Sequence, residues 1–192
     1  MPIVNPASLP LSLVILAAGQ GKRMNSLLPK VLHPLAGKPL LAHVIQAAVQ
    51  LKPQQICVVV GHGGENVRQA LSPECGEVVT WVKQEPQLGT GHAVQQALSS
   101  VNKQGVILVL YGDVPLVTVD TLARLVDKCS GVGLSLLTQA LDNPTGYGRI
   151  VRDAAGKILR IVEEKDAHAD ERKINEKTGT SSAIARATMS VR

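Results

Sequence analysis

Three short stretches collect residue types suited to handling phosphate. "LAAGQGKRM" (Leu16–Met24) places Gly19 and Gly21 directly behind an apolar run, with Arg23 next and Lys30 in the following "LPK". Glycines at such a point let the backbone take positive φ and let a ligand approach the main chain. Successive N–H groups in a turn of this kind form a concavity for an anion. Arg23 adds a permanently charged planar fork that matches phosphate oxygens, and Lys30 adds a second cation. "LYGDVPL" (110–116) sets Asp113 behind another apolar run. A carboxylate there either holds a hard cation against a triphosphate or bonds its own turn backbone. "QLGTGHA" (87–93) brings Gly89, Thr90 and Gly91 to the start of a helix. The free N–H groups of that first turn can meet a ligand carbonyl, and Thr90 is equally suited to cap the helix.

Two better-known glycine motifs are excluded. The dinucleotide fingerprint needs a third glycine where Met24 stands, and the Walker A loop needs Ser or Thr where Arg23 follows Gly21-Lys22. His33, His43, His62 and His92 have no second ligand at metal spacing and read as structural. Cys57, Cys75 and Cys129 form no CxxC pair; an odd, sparse count predicts reduced thiols in a cytoplasmic protein.

The elements that must position these groups show in the apolar periodicity. "SLVILA" (12–17), "ICVVV" (56–60), "VVTWV" (78–82), "VILVL" (106–110) and "LSLLTQ" (134–139) are β-branched or leucine-rich, and several run without alternation, as in strands covered on both faces. Helical spacing lies between them. "PLLAHVIQAAVQL" (39–51) puts Leu41, Val44, Ile45, Ala48 and Val49 on one side, and 91–101 and 118–129 are similar. Alternating strand and helix predict a three-layer α/β fold around a mostly parallel sheet, with the ligand crevice beyond the carboxyl ends of the strands.

Composition agrees with a packed globular chain of 192 residues, 45% hydrophobic and 18% charged. Aromatics are only 2%, with no Phe, which argues against base-stacking single-strand binders. The net charge of +5 is mild and no block of basic residues occurs, so neither a nucleic-acid footprint nor a membrane surface is indicated. The N-terminal apolar run lacks a basic flank and is too short to span a bilayer.

"LAAGQGKRM…LPKVLHPLAGKPLLAHVI" resembles the signature of the sugar-nucleotide pyrophosphorylases, and within them the uridyltransferase domain of the bacterial bifunctional N-acetylglucosamine-1-phosphate uridyltransferases/glucosamine-1-phosphate acetyltransferases. "QEPQLGTGHA" (84–93), "LYGDVPL" (110–116) and "NPTGYGRIVRD…GKILRIVEEKDA" (143–167) agree in order and spacing, so the resemblance covers roughly residues 12 to 176. It implies a Rossmann-like, glycosyltransferase-A type nucleotidyltransferase fold. It also implies transfer of a uridylyl group from UTP to N-acetylglucosamine 1-phosphate, giving UDP-N-acetylglucosamine and pyrophosphate with Mg²⁺. On matching positions it implies that Leu16, Ala17, Ala18, Gly19 and Gly21 hold the nucleotide, with Arg23 and Lys30 as the catalytic cations. Gln84, Gly89 and Thr90 would read uracil. Tyr111 and Gly112 would line the same pocket, with Asp113 as the metal ligand. Gly148 and Glu163 would bind the sugar, while Glu164, Lys165 and Asp166 read as a solvated charged edge. A molybdopterin cytidylyltransferase-like protein is the alternative within the class, against which "QLGTGHA" and "TGYGRI" argue. A catalytically inactive nucleotide-binding fragment is the alternative outside it.

The resemblance ends before the sequence does. The family's Glu-Ile-Asn-Thr-Gly run reads "NEKTG" here, with Lys177 where Ile-Asn is expected, Asn175 out of alignment, and no likeness from Thr180 on. A second metal-ligating Asn and the acetyltransferase domain lie outside these residues, so acetyl-CoA is not carried over. The expected organisation is an N-terminal loop over 1–11, a C-terminally incomplete nucleotidyltransferase domain over 12–177, and a divergent, poorly ordered tail over 178–192. An incomplete sheet predicts lowered thermal stability. A homo-oligomer is compatible with these residues, but nothing in them supports one.

Overall fold

The computed structural model describes residues 10–19, 24–75, 78–129, 133–178 and 184–187. In chain order these form β1 (Leu11–Ala17), β2 (Pro34–Leu35), β3 (Lys38–Pro39), α1 (Leu40–Gln50), β4 (Gln55–Val60), α2 (Gly64–Cys75), β5 (Val79–Lys83), α3 (Thr90–Ala97), β6 (Val106–Tyr111), α4 (Val119–Lys128), β7 (Leu134–Leu136), β8 (Gln139–Ala140), β9 (Gly148–Arg152), β10 (Ile158–Val162), α5 (Ala169–Arg172), β11 (Glu176–Thr178) and β12 (Ile184–Ala187). The chain divides into two compact units, one of residues 1–135 with 183–192 and the other of 136–182.

The first unit is built on a sheet in the order β5-β4-β1-β6-β12-β7. β5, β4, β1 and β6 run parallel, and β12 pairs antiparallel with β6. The unbroken apolar runs become these parallel strands because both faces are covered. Val14, Leu16, Cys57, Val59, Ile107 and Val109 pack with Ala93 and Ala97 of α3 in one buried cluster. Their alternate neighbours Leu13, Ile15, Ile56, Val58 and Leu108 are at most 1% exposed and by the pleat point to the opposite face. Burial of this kind contributes about 25 cal/mol for each Å² of apolar surface removed from water. Burial also pushes the Cys57 thiol up to about 11, leaving it a protonated core residue at neutral pH.

β1 is flanked by β4 on one side and β6 on the other, so the strand order reverses between β1 and β6. Open α/β sheets carry their ligand crevice at such a reversal. The two motifs "LAAG" and "YGD" follow β1 and β6, and therefore meet there.

Several boundaries differ from the sequence reading. In α1, Val49 is 43% exposed while Ala42 is buried, because the core-facing stripe is centred one position earlier. The run 134–139 is broken into two strands, β7 at Leu134–Leu136 and the start of β8 at Gln139. Ile184–Ala187, within the stretch expected to be poorly ordered, is a strand paired with β6; the rest of 179–192 lies outside the described residues. α2 buries Val67, Leu71 and Cys75, a narrow stripe on an otherwise polar segment, which is why no helix is expected there from the sequence.

The second unit is an antiparallel sheet in the order β10-β9-β11-β8. Polar pairs hold much of it. Arg152 forks onto Glu176 through Nε and Nη2, each 2.7 Å from a carboxylate oxygen. The Thr138 hydroxyl donates to the same carboxylate at 2.7 Å. Arg149, 1% exposed, pairs with Glu164 at 2.7 Å and donates to the Tyr147 carbonyl. The buried Lys177 lies 3.8 Å above the Tyr147 ring. Glu164 is thus a structural partner of Arg149 and a 3.3 Å acceptor for the Gly146 N–H, not part of a solvated edge. A buried guanidinium demands such a counter-charge. Among the described residues no helix is long and apolar enough to cross a membrane.

Candidate functional site

The carboxyl ends of β1 and β6 open into a cavity of about 290 Å³ in the first unit, lined by Leu16, Ala17, Ala18, Gly19, Lys30, Val31, Gln84, Gln87, Gly89, Thr90, Ala93, Tyr111 and Asp113. That is the small end of the range for small-molecule pockets. A larger cavity of about 720 Å³ lies beside it, lined mainly by the loop after β4, the start of α2 and residues 81–87. Size does not decide between them. The smaller one gathers main-chain groups from two strand ends, a helix start, a lysine and a carboxylate at the strand-order reversal, and it is the candidate site.

Each lining group is held by a local device. The two strand ends are tied together where the Gly112 N–H donates to the Leu16 carbonyl at 2.9 Å. A side chain at Gly112 would come within 3.0 Å of Leu41 and 3.3 Å of the Leu16 oxygen, so the turn after β6 sits tightly under β1. Gly112 supports the cavity wall from behind. The turn after β1 is pinned by Gln87, whose Nε2 donates to the Ala18 carbonyl at 2.9 Å. Gly61 makes room for that reach: a Cβ there would stand 1.7 Å from Gln87 Nε2.

Lys30 starts a 3-10 turn whose Val31 and Leu32 are buried, and this anchors its backbone while leaving the amine at the rim. Its Nζ lies 2.5 Å from Asp113 Oδ2, with the two side chains 39% and 20% exposed. A cation and an anion so placed hold each other ready, at little cost to stability in a half-solvated site. A phosphate entering the cavity would compete for the lysine, and a cation for the carboxylate.

The start of α3 forms a third wall. Gly89 is its N-cap at φ +99°, a left-handed value that a side chain would strain, and Thr90 is the first helical residue. Capping by Thr90 is therefore corrected: Gly89 holds the cap, and among the described residues no side chain caps the first-turn N–H groups. Gln84 is 4% exposed, and its Nε2 donates to the Gly89 carbonyl at 2.9 Å.

Of the residues singled out in the sequence, Leu16, Ala17, Ala18, Gly19, Lys30, Gln84, Gly89, Thr90, Tyr111 and Asp113 line this one cavity, and Gly112 buttresses it. Gly21 and Arg23 lie outside the described residues. Gly148, buried at the start of β9, and Glu163, exposed beyond β10, belong to the second unit. Gln87 joins the site through the Ala18 carbonyl, and His92, expected to be structural, contacts Gln84 at 3.2 Å. Neither contact is periodic or local, so only a fold brings it out. Among the described residues no group of three or more His, Cys, Asp or Glu side chains is arranged to hold a metal ion. Asp113 is a single hard oxygen donor, which suits a cation completed by substrate oxygens.

The chain is similar to known proteins in sequence and in fold. The chain is 61% identical over 166 residues to "Bifunctional protein GlmU" of Azoarcus sp. (strain BH72), covering 86% of this chain and 36% of that protein. It is 59% identical over 169 residues to the protein of the same name from Nitrosomonas europaea, covering 88% and 36%. The chain thus spans about a third of the length of these relatives. Among solved structures, a UDP-glucose pyrophosphorylase complexed with UDP-glucose superposes with a TM-score of 0.69 at 16% identity, over 92% of this chain and 76% of the other. HddC from Yersinia pseudotuberculosis, complexed with GMP-PN, gives 0.68 at 20% identity, over 90% and 75%. At those identities the likeness is one of fold. The MobA-like NTP transferase domain matches residues 13–181, most of the sequence, and the chain belongs to that family.

Proposed function

We propose that this chain transfers a uridylyl group from UTP to N-acetylglucosamine 1-phosphate, giving UDP-N-acetylglucosamine and pyrophosphate, in the cytoplasm. The observation that carries the reading is the convergence of two strand-end turns, a helix start, Lys30 and Asp113 on one cavity. The likeness at about 60% identity to relatives named "Bifunctional protein GlmU" supports it.

The sugar phosphate is an anionic oxygen nucleophile at neutral pH and needs no general base. The obstacle is the approach of two anions and the charge that develops on the α-phosphorus and the leaving pyrophosphate. Positioning and electrostatic stabilisation overcome it. In this reading the backbone around Gly19 and Gly21 approaches the triphosphate, Arg23 and Lys30 neutralise it, and Lys30 exchanges its contact with Asp113 for one with phosphate. Asp113, freed of Lys30, would hold Mg²⁺ together with substrate oxygens. Bound there, the ion supplies charge neutralisation of the pyrophosphate. Gln84, Gly89 and Thr90 hold the base.

The test is pyrophosphate release with UTP, Mg²⁺ and N-acetylglucosamine 1-phosphate, paired with a UTP-binding titration. Release that needs both substrates supports the transfer. UTP binding without release selects a nucleotide-binding fragment, and absence of both contradicts the reading.

A further inference from the structure

A hydrogen-bonded relay runs behind the wall of the cavity that Gln84, Gly89 and Thr90 form. Gln84 Nε2 lies 2.9 Å from the Gly89 carbonyl and 3.2 Å from His92 Nδ1. His92 Nε2 lies 3.0 Å from the Gln96 side-chain amide. The Gly89 carbonyl accepts and never donates, so the nitrogen end of the Gln84 amide must face it. That end then points its second hydrogen at His92 Nδ1, which must be unprotonated. The neutral imidazole therefore carries its proton on Nε2, and Gln96, turned by half a revolution about its amide, receives it on Oε1. Both Gln84 N–H groups are spent inside the protein. Its Oε1 forms no hydrogen bond among the described residues, and Gln84 lines the cavity.

We infer that His92 is a positioning residue that fixes which end of the Gln84 amide a nucleobase meets, and so selects a base offering an imino N–H donor. The inference rests on the nucleotide-binding reading above. Uracil presents N3–H to an oxygen, whereas cytosine presents the N3 lone pair and meets repulsion. Gly89 alone would leave the amide anchored at one point, with a stray N–H free to turn into the cavity and accept cytosine. His92 closes that option without lining the cavity itself. α3 supplies both Gly89 as its cap and His92 one turn on, so the clamp and the helix start are one construction.

The experiment titrates UTP and CTP by calorimetry against the full chain as wild type, His92→Leu and His92→Asn, with the imidazole tautomer of the wild type read from long-range ¹H–¹⁵N spectra. Wild type should prefer UTP. His92→Leu should lower the UTP-over-CTP ratio about tenfold, the scale of one hydrogen bond to a buried group. His92→Asn, whose Oδ1 replaces Nδ1 as acceptor, should restore it to within about threefold, a rescue that a packing role would not give. The spectra should show His92 protonated on Nε2 alone. A wild type that binds neither nucleotide overturns both the nucleotide reading and this inference. An unchanged ratio in His92→Leu, failure of His92→Asn to restore it, or a wild-type proton on Nδ1 overturns the inference and leaves the nucleotide reading standing.

Discussion

The two units are stabilised by different physics. In the first, parallel strands bury Leu13, Val14, Ile15, Cys57, Val58 and Val59 at 0% exposure, and the polar groups sit at the strand ends. In the second, charges are part of the interior: Arg149 and Lys177 are among the most buried residues, and Glu171 is nearly so. Ile158, Leu159 and Ile161 of β10 stay on the surface. A scaffold held by apolar area can place polar groups at its rim without depending on them. A small sheet held by ion pairs depends on every partner, because one charge left alone in the interior is costly.

The sharpest way to strain this comparison is through the cations proposed to meet phosphate. Arg23→Ala is expected to lower turnover about a hundredfold or more with far less effect on uridine-nucleotide affinity, as for loss of a group that acts mainly on developing charge. Equal losses in turnover and affinity would make Arg23 a ground-state ligand. Thermal unfolding of the same variant should stay near wild type, as expected of a residue that acts on substrate charge and not through the apolar core.

In the second unit the expectation reverses. Arg149→Ala strands Glu164 and removes the bond to Tyr147, and should destabilise by about 3 kcal/mol. Native-state hydrogen exchange would read this as lost protection in β9 and β11, with β1 and β4 unaffected. A loss spread evenly over both units would deny the contrast.

Acid should separate the units as well. The two-pronged hydrogen bond from Arg152, with the Thr138 hydroxyl, holds the Glu176 carboxyl down at about 2, against an ordinary value of 4.5. A depressed carboxylate gives stability that is complete above 4.5 and drains as pH falls toward about 2. Across that window the environment of Tyr147 should change before the emission of Trp81, which lies in β5 of the first unit. Simultaneous change would count against it. The smallest effect is expected at Lys83, whose ion pair with Glu85 is mostly solvated. Lys83→Ala should cost well under about 1 kcal/mol in chemical denaturation.

What the sequence revealed follows the same division. Continuous runs such as "SLVILA" and "VILVL" exposed the parallel strands because double burial leaves a one-dimensional trace. Strand order then brought their ends together, and Lys30, Asp113, Gly89 and Tyr111 came to one cavity by topology. The second unit left no such trace, because its strands are short and its partners, Arg152 with Glu176 and Arg149 with Glu164, are fixed only by register. Gln87 was hidden for a related reason: its partner, the Ala18 carbonyl, is 69 residues away. Glu164 looked solvated because neighbouring charges usually are, and only the buried guanidinium beside it reveals otherwise.

The carboxyl ends of β1 and β6, with the start of α3, are the proposed binding site for a nucleoside triphosphate. Amide hydrogen exchange with and without UTP and Mg²⁺ tests it directly. The account predicts slowed exchange at residues 16–19, 89–91 and 111–113 of the first unit. Protection confined to the larger cavity at residues 61–65 and 81–83, with those three segments unchanged, would contradict it.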